Sequence, residues 1–488
     1  MRTGTSPWWP LLVALAAVLV HLGALRNGFA LDDVTLVEHN PSIVSLAHLP
    51  RLFVEPYWNV GGGEHYGLFR PLTIASYAIN RAITGPGPAG FHAVNVLLHG
   101  AVAALAWLAL RRVGTHYGTA LLGGLLFAVL PVHSEAVANI AGRAEILTAL
   151  CVLAAWLAHD KGWSAAAAGL YLAAILSKES AVLAPALYLA DDLTRRRVPR
   201  TGRMRRYGGY ALAVGVMLAL RAAALGAHQA AEDTIPLDNP AAAAGVAPRV
   251  ATALWVQVLY AASCLVPVHL VSDYSFDAIP TVRTIGDPRL IAGLLLVGGM
   301  VAAGSWAWSR SRPIAIAALL WGIFFLPSSN LLFPTGTVMA ERLTYLPSLG
   351  VCLVLGHAGA AAARRWRALV PVVAAGLVAV YAGRTIARVP AWRDNLTLAT
   401  TDVATMPRSA KLQAGAGIFL SDAGRFAEAE EHLRRAVEIY PAYAQMHYNL
   451  AVLLVRRGAR DEAVEHLERA IALAPANPRP RRLLQSLR

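Results

Sequence analysis

Two adjacent carboxylates, Asp32 and Asp33, come a few residues after the first long apolar run of the chain. Adjacent carboxylates repel each other, and in a partly desolvated pocket one of them can have a raised pKa that suits a general base. A helix cap or a solvated turn is the alternative that the spacing alone leaves open. The pair opens residues 26–92, a long connection between two apolar runs, and long connections usually carry function.

Further ionisable residues lie beside the ends of other apolar runs. Glu135 and Arg143 are two helical turns apart, so an acid and a cation would share one helix face. His92, Asn95 and His99 also share a face, which would either line a cavity or form interhelical hydrogen bonds. The topology predicted below brings these clusters to one side of the membrane, beside the two carboxylates.

Together the clusters predict a site for a phosphate-bearing substrate. Because Arg and Lys side chains bind phosphate oxygens, the candidate phosphate ligands are Arg143, Lys178 and Arg342. The same clusters also contain Arg70, His92, His133, Glu135, Glu145, Glu179, Glu341 and Tyr345. Snorkelling of Arg and Lys at the membrane surface is the alternative, but it does not explain the acids in the same clusters. Protease, redox and nucleotide-binding motifs are absent from the sequence. No cofactor is therefore predicted, although the acids are compatible with a divalent cation.

The elements that must position these residues are apolar. Hydrophobic residues make up 56% of the 488 residues and charged residues 15%, which is too apolar for one water-soluble domain of this length. The apolar runs predict about eleven transmembrane helices, at 10–25, 93–110, 117–132, 146–158, 163–176, 179–190, 207–226, 290–308, 314–332, 343–363 and 368–383. Segment 250–266 is a further candidate, and the sequence leaves open whether it spans the membrane or is re-entrant or interfacial. We interpret the first run as a retained helix, not a signal peptide, because no small-x-small cleavage site follows it.

The formal charge of +14 follows the predicted topology. Arginine clusters at 111–112, 195–206, 310–312 and 364–367 lie in alternate connections, which the positive-inside rule places in the cytoplasm with the N-terminus. The intervening connections and the C-terminal region then face outward. Aromatic residues do not interleave with the arginines, so a lipid bilayer and not nucleic acid is the predicted partner of this charge.

A repeat with a 34-residue period closes the chain, as shown by the pairs Leu420/Leu454, Gly424/Gly458, Ala429/Ala463, Leu433/Leu467, Ala436/Ala470 and Pro441/Pro475. This period, with small residues at helix contacts and Pro ending each unit, is typical of tetratricopeptide helix pairs. The sequence thus predicts an all-α protein with a membrane domain at 1–390 and a linker at 391–408. Residues 409–488 are predicted to hold two repeat units and a C-terminal remnant, a module that binds a protein or peptide.

The order of these motifs resembles that of the transmembrane and tetratricopeptide-repeat O-mannosyltransferases, within the multi-spanning GT-C glycosyltransferases. The matching segments are 32–33, 69–73, 90–99, 131–138, 142–145, 176–179, 326–331, 340–348 and 392–394. The resemblance implies an integral membrane enzyme that moves a sugar, expected to be mannose, from a polyprenyl-phosphate donor to a hydroxyl of a protein Ser or Thr. Transfer would occur on the outer face with inversion, and the base would be Asp32 or Asp33, with Asp32 favoured. Glu135, Glu145, Glu341 and Tyr345 would orient the acceptor, the donor or a metal ion, and substrate-orienting roles would also fall on Arg70, His92, His133 and Glu179.

Some features depart from the family pattern or allow other functions. Two repeat units are fewer than in the family members, which weakens the expectation of an extended platform for a folded acceptor. The high Ala and Arg content suggests a bacterial inner-membrane protein with periplasmic repeats and an undecaprenyl-phosphate donor. A lipid or envelope-glycan acceptor and a non-catalytic scaffold that recruits partners through the repeats remain alternatives. A transporter is disfavoured, since its polar residues would lie at mid-membrane and not at the rim.

Overall fold

The computed structural model describes residues 8–58, 67–195, 200–226 and 236–488, without the side chains of 195–205. Every regular element in those ranges is helical, so the predicted all-α fold is confirmed. The longer helices of the apolar region are α1 (Trp8–His21), α2 (Pro71–Thr84), α3 (Pro88–Arg112), α4 (Tyr117–Val129), α5 (Arg143–Asp160), α6 (Ser164–Ser177), α7 (Ala184–Arg195), α8 (Arg200–Leu225), α9 (Val246–Leu265), α10 (Pro288–Ala307), α11 (Arg312–Phe325), α12 (Ser348–Ala362) and α13 (Leu369–Arg388). The apolar runs marked in the sequence fall mainly on these helices.

The chain is an integral membrane protein. Six helical segments are long and apolar enough to cross a membrane, or seven if one bent pair counts as a single span, as judged over the described residues by length and composition. The bent pair is Tyr117–Val129 with Pro131–Ala138. Three shorter apolar helices, α6, α11 and α12, have 14, 14 and 15 residues and therefore rise only about 21–23 Å, against a hydrocarbon core of about 30 Å. The predicted number of about eleven spans is thus approximate.

The arginine clusters used to predict sidedness are only partly described. Arg196 and Arg197 lie outside the described residues, as do the side chains of the other arginines between 195 and 205. The orientation of the helices across the bilayer therefore remains a prediction from the sequence.

Small residues let the membrane helices approach each other closely. A Cβ at Gly123 of α4 would lie 2.9 Å from the Cys352 carbonyl oxygen of α12. A Cβ at Gly350 would lie 2.5 Å from the Ala317 carbonyl oxygen of α11. Helices in lipid associate through such close backbone packing because the bilayer offers no hydrophobic driving force between them.

The connection between α1 and α2 is folded and has a small core of its own. Short helical segments at Val34–Glu38, Pro41–Ile43, Leu46–His48 and Leu49–Leu52 follow one another in the described part of this loop. Leu36, Val37, Ile43 and Leu52 are buried together with residues of α2. The loop therefore has the rigidity that is needed to hold the Asp32–Asp33 pair in place.

Repeat helices α15 (Ala410–Asp422), α16 (Phe426–Ile439), α17 (Ala444–Arg457) and α18 (Arg460–Leu473) form two antiparallel pairs, and α19 (Pro478–Leu487) closes the chain. Ala429 and Ala463 are fully buried where the helices cross. Gly424 and Gly458 have φ values of 78° and 84°, which glycine adopts without the Cβ penalty of other residues. The 34-residue period thus corresponds to the predicted tetratricopeptide helix pairs.

Residues 391–408 connect α13 to the first repeat helix and contain a further helix, α14 (Asn395–Thr405). Leu398, Ala399 and Val403 of α14 are buried, and the helix packs against α15. The Asp394 side chain caps its N-terminus by accepting a hydrogen bond of 2.7 Å from the Thr397 amide. The connection is thus an ordered, packed segment.

Candidate active site

The turn that carries the two carboxylates is held by a distant part of the chain. The Gly28 amide donates to the Arg393 carbonyl at 2.7 Å, and a Cβ at Gly28 would lie 3.0 Å from that oxygen. The Leu31 amide donates to Asn395 Oδ1 at 2.7 Å. Leu31 has a φ of 51°, a left-handed conformation that is uncommon for a branched residue and is often found at functional sites.

Asp33 is buried under this turn. Its carboxylate accepts hydrogen bonds from the Ala141 amide at 2.7 Å and the Ile140 amide at 3.1 Å, with a longer contact from the Ala30 amide at 3.5 Å. Burial raises the pKa of Asp33 to about 7, against the opposing effect of these N–H groups, and the Asp32 charge adds to the rise. Asp33 thus joins the loop to the turn Ile140–Gly142.

We expect the Asp33 carboxyl to make the stability of the protein depend on pH. An unfolded Asp titrates near pH 3.9, so between about pH 4 and pH 7 the folded protein binds this proton more tightly than the unfolded chain. The contribution of Asp33 to stability therefore falls as the pH rises through that window. Thermal melts in detergent at pH 4.5, 6 and 7.5 should show wild type losing stability relative to Asp33→Asn, whereas the exposed Asp422→Asn should show no such trend. A constant difference between wild type and Asp33→Asn would contradict this prediction.

Asp32 is only partly buried and lines a cavity of about 640 Å³. No described residue hydrogen-bonds to its carboxylate. Six of the thirteen predicted site residues line this cavity: Asp32, Arg70, Glu145, Lys178, Glu179 and Arg342. They come from the loop after α1, from α5, from the segment after α6 and from the turn Glu341–Thr344. The structure thus brings together polar clusters that the sequence keeps far apart.

Each predicted cation of the cavity lies against an acid. Arg70 donates to Glu179 through two parallel hydrogen bonds of 3.0 and 2.7 Å, and Lys178 pairs with Glu145. The Arg70 charge holds the pKa of Glu179 low, at about 2, against the effect of burial. Burial lowers the pKa of Lys178, and the Glu145 charge opposes that shift. These pairs fix the cations in place within a desolvated site.

Arg342 is the third cation, and its acidic partner is Glu135. Its Nη1 donates to Glu135 Oε1 at 2.5 Å, and its backbone amide donates to Glu135 Oε2 at 2.7 Å. The Glu135 side chain is only 1% exposed, whereas that of Arg342 is 36% exposed. Among the described contacts only Nη1 of the guanidinium is used, so the other N–H groups of Arg342 can bind a ligand in the cavity.

Arg143 does not line the cavity. It is fully buried, and its guanidinium donates to Asn95 Oδ1 at 2.7 Å, to Asn80 Oδ1 at 2.8 Å and to the Phe91 carbonyl at 2.9 Å. It also lies over the Tyr77 ring, 4.8 Å from the centroid. These protein contacts use the donors of Arg143, so the structure does not bring it together with Lys178 and Arg342 in the cavity as the sequence predicts.

The remaining predicted residues, His92, His133, Glu135, Glu341 and Tyr345, are buried behind the cavity. His92 Nε2 donates to the Gly28 carbonyl at 3.0 Å and so supports the Asp32 turn. The Tyr345 hydroxyl lies 2.6 Å from His99 Nδ1, and His133 Nε2 lies 2.9 Å from Ser348 Oγ.

Glu341 accepts hydrogen bonds from the Val271 amide at 2.6 Å and the Tyr274 hydroxyl at 2.7 Å. These contacts join the turn Glu341–Thr344 to the segment that follows α9. Burial raises the pKa of Glu341 well above its usual value. The five buried residues thus connect helices and loops around the cavity but do not line it.

Sequence reasoning missed several residues of the cavity, among them Tyr57, Trp58, Asn139 and Arg221. Arg221 lies on an apolar helix, and a charged residue in an apolar run is the signal that identifies it as a candidate. Within the described ranges its guanidinium has no acidic partner. No group of three or more His, Cys, Asp and Glu in those ranges is placed to hold a metal ion.

Gly142 fixes the turn that supports both Asp33 and the cavity. A Cβ at this position would collide with the backbone of Ala136, its carbonyl oxygen first. We expect Gly142→Ala to displace the turn, to destabilise the protein by about 1–3 kcal/mol as overpacked substitutions do, and to lower activity. Gly169→Ala is the matched control, because nothing lies within 4 Å of a Cβ there. Thermal melts of both variants measure the effect, and equal melting temperatures would refute it.

Comparison with curated proteins finds relatives that align with most of this chain. Protein O-mannosyl-transferase F38B6.6 of Caenorhabditis elegans is 28% identical over 89% of this chain and 63% of its own length. Protein O-mannosyl-transferase TMTC1 of Homo sapiens is 28% identical over 90% and 56%, respectively. Protein O-mannosyl-transferase TMTC4 of Mus musculus is 29% identical over 88% and 66%. The chain thus spans between half and two thirds of the length of these relatives.

A solved structure, ArnT from Cupriavidus metallidurans bound to undecaprenyl phosphate, covers 96% of this chain and 76% of its own, with 16% identity and a TM-score of 0.40.

The apolar helices, the cavity and the helix pairs define an integral membrane protein of all-α fold with a C-terminal tetratricopeptide module. A family model described as protein O-mannosyl-transferase TMTC, DUF1736, matches residues 232–301, and a tetratricopeptide repeat model matches residues 420–487. The chain is similar to the transmembrane and tetratricopeptide-repeat O-mannosyltransferases over about nine tenths of its length. The resemblance inferred from the motif order is therefore confirmed.

Proposed function

We propose that this chain is a glycosyltransferase of GT-C type that moves a mannosyl group from a polyprenyl phosphate to a Ser or Thr hydroxyl of a protein. The observation that carries the proposal is that Asp32 lines one cavity together with Arg70, Lys178 and Arg342. A carboxylate suits the activation of a hydroxyl, and cations suit a phosphate leaving group. The names of the relatives support the sugar and the protein acceptor.

The cavity suits the polar part of a lipid-linked donor. Its volume of about 640 Å³ is within the range of small-molecule sites, roughly 300–1,000 Å³. Arg70 and Lys178 are held by acids and keep further N–H groups for a ligand, and Arg221 has no acidic partner among the described residues. A phosphate placed here would meet several fixed donors, which bind it through charge-assisted hydrogen bonds.

The apolar part of the same cavity suits the polyprenyl chain. Val182, Met217, Leu218 and Phe333 line it beside the cations. A second, largely apolar cavity of about 740 Å³ lies against α10 and α11 and is lined by Leu183, Leu326 and Leu331, among others. Leu183 directly follows Val182 in the chain, and Leu331 lies two residues before Phe333. The two cavities therefore support a donor whose phosphate lies near Asp32 and whose chain extends between membrane helices.

In the proposed reaction Asp32 takes the proton of the acceptor hydroxyl as the oxygen attacks the anomeric carbon. The bond from that carbon to the phosphate oxygen breaks on the opposite face, and the phosphate leaves with the electron pair. One substitution of this kind inverts the anomeric configuration. Arg70, Lys178 and Arg342 stabilise the charge that develops on the leaving phosphate. Asp33, which is buried and bound by backbone amides, positions the turn in this mechanism.

The proposal places the Asp32 loop and the repeats on the outer face of the membrane. In a bacterial host this face is periplasmic, and the lipid carrier would be undecaprenyl phosphate. The placement on the outer face rests on the distribution of arginines in the sequence, and the bacterial host and its carrier rest on the high Ala and Arg content.

Transfer by the purified full chain in nanodiscs tests the proposal. The donor is radiolabelled polyprenyl-phosphate mannose, and the acceptors are a periplasmic protein extract and, separately, lipid and glycan fractions. We expect label in protein that is released as an O-linked sugar of inverted configuration. Label in lipid or glycan alone would replace the protein acceptor, and no transfer from any polyprenyl-phosphate sugar would favour the scaffold function.

A further inference from the structure

Asp32 also borders a third, smaller cavity, which extends from the active site to the repeat module. This cavity has a volume of about 240 Å³ and shares Asp32, Asn139 and Arg342 with the larger one. Its other walls come from the segment after α9, from α14 and from α15, the first repeat helix. We propose that this cavity, which we call the repeat-side cavity, is the acceptor subsite, with α15 as one of its walls. This inference rests on the function proposed above.

The wall formed by α15 is fixed to the membrane domain by several contacts. The Ala410 amide donates to the Phe276 carbonyl at 2.6 Å. Lys411 Nζ lies 2.8 Å from Asp238 and 3.6 Å from Asp273, and Arg408 pairs with Asp277 at 2.7 Å. The first turn of the repeat module is thus joined to the loop that forms the opposite wall, so α15 is held in a fixed position beside the cavity.

A second set of contacts holds α14 in the same cavity wall. Asp402 accepts hydrogen bonds from the Arg388 guanidinium at 2.6 Å and from the Ser272 amide at 2.6 Å. Asn395 accepts from the Leu31 amide. Residues from four distant parts of the chain therefore meet around Asp32, and the cavity between them is a consequence of that packing.

The chemistry of the lining indicates the kind of acceptor. The Oδ1 atoms of Asn139 and Asn395 already accept hydrogen bonds, from Ala141 at 2.9 Å and from Leu31 at 2.7 Å. Those bonds fix the orientation of both amide groups, and no described residue accepts from their Nδ2–H groups. Nδ2–H groups are donors, and their natural partners are carbonyl oxygens such as those of a peptide backbone.

The size and the apolar lining of the repeat-side cavity suit a short extended peptide. Leu398, Leu412 and Phe419 supply apolar surface, and the acids Asp32 and Asp273 are balanced by Arg342 and Lys411. A volume of about 240 Å³ excludes a folded domain and lies below the usual range of small-molecule pockets. The structure therefore indicates an extended, overall neutral segment that brings a Ser or Thr hydroxyl to Asp32.

Gly415 offers a way to fill the cavity without breaking a contact. A Cβ there would meet only Phe419 and Ala399, at 3.9 and 4.0 Å, so a leucine would project into the cavity beside them. We expect Gly415→Leu to raise the KM for a capped Ser/Thr peptide by at least tenfold and to leave the KM for polyprenyl-phosphate mannose unchanged. Ala472→Leu, on the exposed face of α18, is the control and should change neither.

Asn395→Asp is an independent variant of nearly the same shape. It keeps an acceptor for the Leu31 amide but replaces the Nδ2–H donor with a carboxylate oxygen, which repels a peptide carbonyl, so we expect the peptide KM to rise by at least tenfold. Asn477→Asp makes the same substitution at the N-terminus of α19, where Oδ1 also accepts a backbone N–H, and should have no effect.

The outcomes separate this inference from the function on which it rests. Transfer by wild type with unchanged peptide KM in both Gly415→Leu and Asn395→Asp would overturn the acceptor subsite and leave the proposed function standing. A rise in donor KM equal to that in peptide KM would also overturn it, since the cavity would then serve the donor. No transfer by wild type would overturn both.

Discussion

Replacing Asp32 with asparagine is expected to lower sugar transfer by about 10²–10⁴-fold, the usual contribution of a general base. The amide cannot take the proton of the acceptor hydroxyl, yet it has nearly the same size as the carboxylate. Because no described residue hydrogen-bonds to the Asp32 carboxylate, the melting temperature should not change. The measurement is the initial rate of transfer by the purified variant at saturating donor and acceptor.

Two further variants sharpen this test. Asp422→Asn makes the same substitution at an exposed position of α15 and should transfer at the wild-type rate. Asp33→Asn removes one of the two carboxylate oxygens that hold Ile140 and Ala141, so it should lower the melting temperature and the rate together. If Asp33→Asn lost transfer at full stability while Asp32→Asn stayed active, the base would be Asp33.

Replacing Arg143 with lysine is expected to cause the largest loss of stability among single substitutions at the predicted site. A lysine cannot reproduce the planar set of donors that Asn80, Asn95 and Phe91 accept, and a buried acceptor left without a donor costs about 1–3 kcal/mol. We expect a large drop in melting temperature, whereas the fraction that stays folded should keep the wild-type donor KM.

Arg342→Lys provides the contrast, because Arg342 lies in the cavity and its side chain is partly exposed. It keeps a positive charge beside Glu135 but loses the additional N–H groups, so the donor KM should rise by several-fold with a smaller effect on melting. Saturation curves in polyprenyl-phosphate mannose distinguish the two variants. A raised donor KM in Arg143→Lys would instead indicate that Arg143 binds the donor phosphate.

The parts of this molecule that the sequence predicts are those that depend on local patterns. Apolar runs mark the helices, and the 34-residue period marks the repeats, because each signal is complete within a few helical turns. The meeting of Arg70, Lys178 and Arg342 with Asp32 followed from the expectation that the ends of alternate spans share one side of the membrane. The structure places these four residues around one cavity, whereas the side of the membrane on which it opens stays a prediction.

Other features depend on tertiary contacts that no local pattern encodes. Arg143 is enclosed by Asn80 and Asn95, and Asp33 is enclosed by residues 140–141, more than one hundred positions away. Sequence alone could not decide whether such charged residues face a ligand or a protein partner. Asn395 and Lys411 were missed because they lie next to or within the repeats, which the sequence presents as a separate module.

The hydrogen bonds from Gly28 to Arg393 and from Leu31 to Asn395 also bear on biosynthesis. A nascent chain that has been inserted only as far as α13 contains Asp32 and the cationic residues but lacks the segment that holds the Asp32 turn. The turn can take its final conformation only after residues 393–395 have left the ribosome and folded back onto the loop. Synthesis of the segment that follows α13 therefore determines when the active site is complete.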